Sequence, residues 1–346
     1  MKTLLIVTDA WRPQINGVVR SLERLAEELE KLDLRVEFLT PQAFRTLPCP
    51  SYPEIRLSLT HTGAVRRRIA AVAPDYIHIA TEGPLGVMAR RAASAEGAPG
   101  FTTSYHTRFP EYVSSRWPVP ESWLYAGLRR FHNAGLACMV ATETLRRDLE
   151  GRGFRNLVPW SRGVDTRLFH PDRDVGDVYA GLPRPIFLNV GRVAVEKNLE
   201  AFLALDLPGS KVVVGDGPQL GELRRRFPQA HFLGAKVGEE LARAYAAADV
   251  FVFPSRTDTF GNVIVEALAS GLPVAAYPVM GPIDIVGDSR AGVLAEDLRA
   301  AALAALDCDR DAARQLASTF TWEASTRQFL TAIENAQLRR RAVAGR

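Results

Sequence analysis

The chain has 346 residues, 47% of them apolar and 24% charged, the composition of a globular protein with length for two domains. A net charge of +4 is too small to argue for nucleic acid, and Cys49, Cys138 and Cys308 share neither a metal-ligand spacing nor a disulfide framework, so a reducing compartment is expected. The apolar run in MKTLLIVTDAWRP is short and broken by Asp9 and Arg12, and no run reaches the ~20 apolar residues of a membrane span, so the chain reads as cytoplasmic.

Thr3 to Val7 is expected as a buried first strand and Pro13 to Gly17 as a loop. A helix follows, because Val18, Leu22, Leu25, Ala26 and Leu29 recur on one face. Arg35 to Leu39 is the second strand. Such an opening raises a dinucleotide-binding reading, but that fingerprint needs G-x-G-x-x-G straight after the strand, and DAWRPQINGVV has Gly17 alone. Arg66 to Ala73 reads as a helix, Tyr76 to Ile79 as a strand and Leu85 to Ala95 as a helix. Thr102 to Tyr105 is a strand with His106 at its carboxyl end, where open α/β sheets bind ligands. Arg116 to Leu136 combines two tryptophans and paired arginines on an amphipathic segment. Met139 to Ala141 is a strand and Glu143 to Glu150 a helix. The turn-rich WSRGVDTRLFHPDRD, followed by LPRP, places a domain boundary near residues 163 to 183.

The second half restarts the alternation. Ile186 to Val190 is a strand, and GRVAVEKN leads into a helix near Leu199. This sets Arg192 and Lys197 between a strand end and a helix start, where cations are disfavoured unless an anion shares the place. Lys211 to Val214 is a strand; GDGP then reads as a tight turn with Pro218 near the first position of a helix. His231 to Leu233 is a strand and Glu239 to Ala247 a helix. Val250 to Phe253 and Val274 to Ala276 are buried strands flanking a loop, Pro254 to Asp258, and a helix that Gly271 and Pro273 stop. Asp258 and Glu266 are eight residues apart, roughly 12 Å if all eight were helical. The amides of Thr259 to Asn262 between them open a helix N-terminus suited to an anion. Helices from Leu298 to Leu306, Arg310 to Ser318 and Trp322 to about Arg341 close the chain.

The run P-S-x-x-D-T-F-G-N-V-x-x-E-A-L-A-S-G-L-P-V resembles the signature of the retaining nucleotide-sugar glycosyltransferases of family four, which have the GT-B fold. The family motif is Glu, seven residues, Glu; this chain has Asp258 in the first place, one methylene shorter. The resemblance covers nearly the whole chain. It implies an α/β architecture of two Rossmann-like domains with parallel sheets facing a cleft: an acceptor-side domain over residues 1–165, and a nucleotide-sugar domain over 166–321. The final helix, about 322–341, returns to the first domain. It further implies that Gly17 and Gly191 let loops approach the donor, that His106 contacts the donor hexose, and that Arg192 and Lys197 clamp the diphosphate. Asp258, with Thr259, Phe260, Gly261 and Asn262, would hold the hexose, and Glu266 the two ribose hydroxyls. The catalytic residues on this reading are His106, Asp258, Arg192 and Lys197.

The implied activity is retaining transfer of a hexose from a UDP- or GDP-linked sugar, with no cofactor and no metal, because no Asp-x-Asp motif is expected and two cations can neutralise the leaving diphosphate. No carboxylate is evidently a covalent nucleophile, so front-face attack is expected, with the leaving phosphate oxygen taking the acceptor's proton. TDAWRPQINGVVRSL with SRTDTFGNV is similar to the branch holding lipid mannosyltransferases and sulfoquinovosyl or glucuronosyl diacylglycerol synthases, which points to a lipid acceptor. Residues 60–135 carry nine arginines and five acids, an excess of four that equals the whole chain's. That excess suits an anionic membrane surface and a peripheral place on the inner face of the cytoplasmic membrane. A polysaccharide or soluble acceptor, a GT-B epimerase or phosphorylase, and a nucleotide-sugar-binding protein without turnover are the alternatives. Oligomeric state is not legible.

Overall fold

A computed structural model describes the chain except residues 14–16, 50–51, 96–97, 115–116 and 345–346. The expectations for the Pro13–Gly17 loop and for Arg116 therefore fall partly outside the described residues. The chain divides into two compact units, Met1–Arg162 with Trp322–Arg346, and Gly163–Thr321.

The first unit runs β1 (Lys2–Val7), α1 (Gly17–Glu30), β2 (Leu34–Leu39), β3 (Arg45–Cys49), β4 (Tyr52–Leu59), α2 (Thr62–Val72), β5 (Tyr76–Ile79), α3 (Pro84–Ala93), β6 (Thr102–Tyr105), α4 (Phe109–Ser114), α5 (Glu121–His132), β7 (Cys138–Val140), α6 (Glu143–Gly151) and β8 (Leu157–Pro159). Its sheet is parallel, in the order β2-β1-β5-β6-β7-β8. Alternation along β1 builds both layers. Leu5 and Val7 pack with Val65 and Ile69 of α2, Leu85 and Ala89 of α3, and Phe131 of α5. Leu4 and Ile6 face the other way, onto Leu22, Leu25 and Leu29 of α1, with Phe329 and Ile333 from the chain's last helix in the same cluster.

The second unit runs β9 (Ile186–Val190), α7 (Leu199–Leu203), β10 (Ser210–Val214), α8 (Leu220–Arg226), β11 (His231–Phe232), α9 (Gly238–Ala246), β12 (Val250–Phe253), α10 (Asn262–Ala269), β13 (Val274–Ala276), α11 (Pro282–Ile285), β14 (Gly292–Leu294), α12 (Leu298–Ala304) and α13 (Arg310–Ala317). This sheet too is parallel, ordered β11-β10-β9-β12-β13-β14. The last helix, α14 (Trp322–Ala344), belongs to the first unit. Two Rossmann-like parallel sheets are the α/β architecture expected of GT-B.

Three differences from the sequence reading have physical causes. The hairpin β3–β4 was not anticipated because Pro48 and Pro53 demote both segments as strands; a two-stranded ribbon tolerates them, and its register shifts at Pro48/Cys49. Strands β8 and β14, three residues each, are too short for periodicity to reveal. Pro218 sits in a turn ahead of Gln219, the cap of α8, rather than at that helix's first position.

Candidate functional site

In the second unit β9 pairs with β12, so the loops after these two strands lie side by side at the carboxyl edge of the sheet. Val195–Lys197 makes one 3-10 turn, and Asn198 follows in the left-handed region (φ 53°, ψ 35°), which asparagine adopts more readily than most residues. Its Nδ2 donates to the Pro254 carbonyl at 3.1 Å, while Ser255 Oγ and Thr257 Oγ1 donate to the Glu196 carbonyl at 3.4 and 3.2 Å. Stitched in this way, the loops bring Lys197 Nζ to 2.5 Å from Asp258 Oδ1. Both side chains are largely withdrawn from water, 25% and 17% exposed. Asp258 Oδ2 is buried with no hydrogen-bond partner among the described residues. Leaving a buried acceptor bare costs about 1–3 kcal/mol, more when the group is charged. The loop therefore holds one carboxylate oxygen ready to accept.

Glycines shape the platform under this pair. A Cβ on Gly215 would stand 1.8 Å from the Gly191 carbonyl oxygen, and one on Gly217 would stand 2.4 Å from that of Val193. Between them, Gly191 and Val193 donate to the carbonyls of Val214 and Asp216 at 3.0 and 2.9 Å. The G-D-G stretch is thus a backbone-on-backbone contact that braces the Arg192–Lys197 loop, a more specific role than the tight turn expected. Gly281 (φ 88°) does the same below the second loop, where an added Cβ would meet the Phe260 carbonyl oxygen at 2.5 Å. Phe260 itself is buried, its ring 6.0 Å from that of Phe320, so its side chain anchors the loop and is not offered to a donor.

Helix α10 starts only at Asn262, with Gly261 (φ 102°) before it, so Asp258 precedes the helix and the all-helical span assumed from Asp258 to Glu266 does not hold. Glu266 Oε2 accepts a hydrogen bond from Tyr245 Oη at 3.0 Å. Arg192, Thr259 and Asn262 are half-buried and already make contacts within the chain.

In the first unit His106 follows β6, and both its ring nitrogens are engaged. Arg162 lies 3.0 Å from Nδ1 and Ser104 Oγ 2.8 Å from Nε2. A guanidinium only donates, so Nδ1 accepts and the neutral ring carries its proton on Nε2. Ser104 Oγ then accepts from His106 and donates to His78 Nε2 at 3.0 Å, which leaves His78 Nδ1 to donate to Thr102 Oγ1 at 2.9 Å. One cation orients the whole chain of bonds. Burial first, then the Arg162 charge, pushes His106 well below the ordinary histidine range and His78 down to about 3. Arg162 is itself buried; it donates to the Trp160 and Ser161 carbonyls at 2.7 and 3.1 Å and lies 3.9 Å from the Trp160 ring. A hexose bond from a His106 nitrogen would require Ser104 or Arg162 to release it. Gly17 opens α1 and is exposed, next to residues outside the description.

Both halves of the chain match known families. Residues 15–168 match Glycosyltransferase Family 4, and residues 184–308 match Glycosyl transferases group 1. A GDP-mannose-dependent alpha-mannosyltransferase of Mycobacterium tuberculosis is 31% identical over 312 residues, 84% of this chain and 82% of that protein. The chain belongs to the group 1, family 4 glycosyltransferases. The sulfoquinovosyl transferase of Arabidopsis thaliana is 34% identical over 264 residues, 72% of this chain but 51% of its own, so the chain spans about half that relative's length. An alpha-monoglucosyldiacylglycerol synthase of Streptococcus pneumoniae is 26% identical over 94% of this chain and 82% of its own. Among solved structures, sucrose-phosphate synthase from Thermosynechococcus elongatus shares the fold at a TM-score of 0.78 and 21% identity, each chain covered in full.

Residues of this glycosyltransferase that sequence reasoning missed are those whose work is internal. Arg162, Ser104 and His78 set the His106 ring, and buried Tyr245 sets Glu266. Asp9 is another: its carboxylate accepts from the Leu85 and Gly86 amides at 2.8 and 3.1 Å and from Thr81 Oγ1 at 3.1 Å, capping α3. A Cβ on Gly83 would stand 2.4 Å from Asp9 Cγ, so T-E-G-P-L-G is moulded around that acid. The available signal was a lone acid two residues past the end of an apolar strand. Asp-x-Asp spacings do occur at Asp172–Asp174 and through Asp307, Asp309 and Asp311, where Asp309 caps α13.

Proposed function

We propose that this glycosyltransferase moves a hexose, with retention, from a nucleoside-diphosphate sugar to a membrane lipid, using the cations Arg192 and Lys197 in place of a metal. The observation that carries the donor half is the orphan oxygen of Asp258 beside Lys197 Nζ. A sugar hydroxyl donating to Oδ2 would end the cost of an unmet buried acceptor. Lys197 has three donors and can share itself between Asp258 and a phosphate oxygen. As the sugar–phosphate bond breaks, negative charge grows on the leaving diphosphate, and fixed cations in a partly dry site stabilise it more than they stabilise the ground state. The leaving oxygen then takes the acceptor's proton on the face it has just left. Glu266, braced by Tyr245, accepts from the ribose. His106 serves as a neutral, fixed ring on the acceptor-side unit.

Two observations support a lipid acceptor. One relative is named a monoglucosyldiacylglycerol synthase. Helices α2 and α3 carry Arg66, Arg67, Arg68, Arg90 and Arg91 and no acid, and on α5 Trp123, 74% exposed, stands seven residues before exposed Arg130. At about 1 kcal/mol for each basic side chain near an anionic surface, this face supports weak, salt-sensitive attachment. No helix among the described residues is long and apolar enough to cross a membrane. Liposome flotation at low salt, paired with transfer assays on diacylglycerol and on water-soluble acceptors, decides the matter. Binding to anionic vesicles with transfer to the lipid is expected; no flotation together with transfer to a soluble acceptor would overturn the lipid half. A thermal-shift panel of UDP, GDP and ADP sugars identifies the donor.

A further inference from the structure

At the amino ends of β9, β12 and β13, the edge of the second sheet opposite Lys197 and Asp258, lies a hollow of about 450 Å³. It is lined by Arg184, Pro185, Asp249, Leu306, Cys308 and Arg310, with Pro273 beside them. Two cations and one acid face it, and they are not equally satisfied. Asp249 is fully used: Arg184 donates to both its oxygens at 2.8 Å, and the Ile186 amide donates to Oδ2 at 2.6 Å. Arg310, by contrast, donates only to the Ala248 carbonyl, at 3.3 Å, and pairs with no carboxylate among the described residues. A guanidinium has five N–H donors, and Arg310 is exposed, so its other donors face solvent at the hollow and are open to an incoming acceptor.

Its position adds to the imbalance. Arg310 is the first residue of α13, where the helix dipole disfavours a cation. Asp309 does not relieve it, because its carboxylate caps the Asp311 and Ala312 amides and otherwise faces Arg290 at 3.5 Å. Burial works most against ionised Arg310; the Asp249 charge, which favours it, comes next and exceeds the opposing Arg184 charge. A planar fork with spare donors beside an apolar wall fits an oxyanion carried on a small apolar body.

We propose that this hollow is a second ligand site, for a small organic anion whose carboxylate or phosphate binds Arg310 and whose apolar body packs on Leu306, Pro273 and Pro185. The site is separate from the donor loops and does not rest on the transfer reaction proposed above. Cys308 reports on it directly, since its half-buried thiol lines the same hollow.

The experiment measures carbamidomethylation of the intact protein by iodoacetamide, read peptide by peptide, with benzoate, phenyl phosphate or neutral benzyl alcohol present. An anion held at ten times its dissociation constant should slow Cys308 roughly tenfold by occupancy, and leave Cys49 unchanged. Protection by benzoate alone assigns a carboxylate ligand, by phenyl phosphate alone a phosphate, and by both an oxyanion of either kind. Arg310→Gln should abolish the protection and Arg310→Lys retain part of it, with melting curves confirming that both variants fold. Absence of protection by either anion, equal protection by benzyl alcohol, or full protection in Arg310→Gln overturns the proposal.

Discussion

The Lys197–Asp258 pair and His106 both sit past the carboxyl end of a parallel strand, yet their hydrogen-bond accounts differ. Around His106 each ring nitrogen and hydroxyl along His106, Ser104, His78 and Thr102 has a partner, and the direction of the bonds is set from the Arg162 end, because Arg162 cannot accept. Around Asp258 one carboxylate oxygen is buried and bare. A complete network holds a part in place. An incomplete one in a folded protein asks for a ligand, because the fold would otherwise carry a cost that substitution could remove. The Asp258 loop, proposed to hold the donor, is thus marked by an unmet acceptor, and the His106 ring by two engaged nitrogens.

The largest effect should come from the unfinished side. Lys197→Ala should reduce kcat/KM by about 100- to 1000-fold, the range seen when one donor to a developing oxyanion is removed. Asp258→Asn should spare the affinity for free nucleoside diphosphate and damage transfer, since its oxygen is read as meeting the sugar. Calorimetry with the diphosphate and turnover assays on both variants check this. Turnover within twofold of the parent in Lys197→Ala would erase the contrast between the two regions.

The finished side is tested through its tautomers. Nitrogen-15 NMR should find His106 protonated on Nε2 and His78 on Nδ1 in the parent. Arg162→Gln, which can accept as well as donate, should release that order and cost about 1–3 kcal/mol of stability as buried partners lose a committed donor. Unchanged tautomers in the variant would mean that something other than Arg162 sets the direction.

Acid should act on the same chain. His78 is held down to about 3, whereas an unfolded histidine titrates near 6.5. Between those values the unfolded chain binds a proton that the folded chain refuses, so stability is full above pH 6.5 and falls as the pH drops toward 3. The slope should be about 1.4 kcal/mol per pH unit for this group alone. Denaturant melts from pH 7 to 4 on the parent and on His78→Gln measure it; equal slopes would show that His78 is not charged by unfolding.

What could be read from the sequence follows the same division. Strands such as Thr102–Tyr105 and Val250–Phe253 were legible because a buried parallel strand is an apolar or β-branched run, and the loops that bring Lys197 to Asp258 because each follows such a strand. His78 and Arg162 were not. Arg162 meets His106 from 56 residues after it and His78 reaches it through Ser104 from 28 before, and nothing local marks a histidine on a strand as one link of a chain. Gly215 and Gly217 looked like a turn because sequence shows a glycine's freedom but not the carbonyl it must make room for. The hairpin β3–β4 was hidden by prolines that only an isolated ribbon would accept.

The smallest effect is expected where the proposed donor site borrows from the finished kind of network. Tyr245 is wholly buried on α9, and its hydroxyl donates to Glu266 Oε2 at 3.0 Å. A buried phenol needs a partner, and a carboxylate so held presents its remaining lone pairs in one orientation. Tyr245→Phe deletes that bond with almost no change of shape, so the fold should persist while Glu266 gains freedom that a ribose must then remove. Loss of about 0.7–1.4 kcal/mol, within the range for a single hydrogen bond, corresponds to three- to tenfold weaker binding of the nucleoside diphosphate. Inorganic pyrophosphate has no ribose and should bind the variant and the parent alike. If pyrophosphate weakens as much as the nucleotide does, Tyr245 supports the whole site and not Glu266 in particular, and the bond at 3.0 Å is only part of the core.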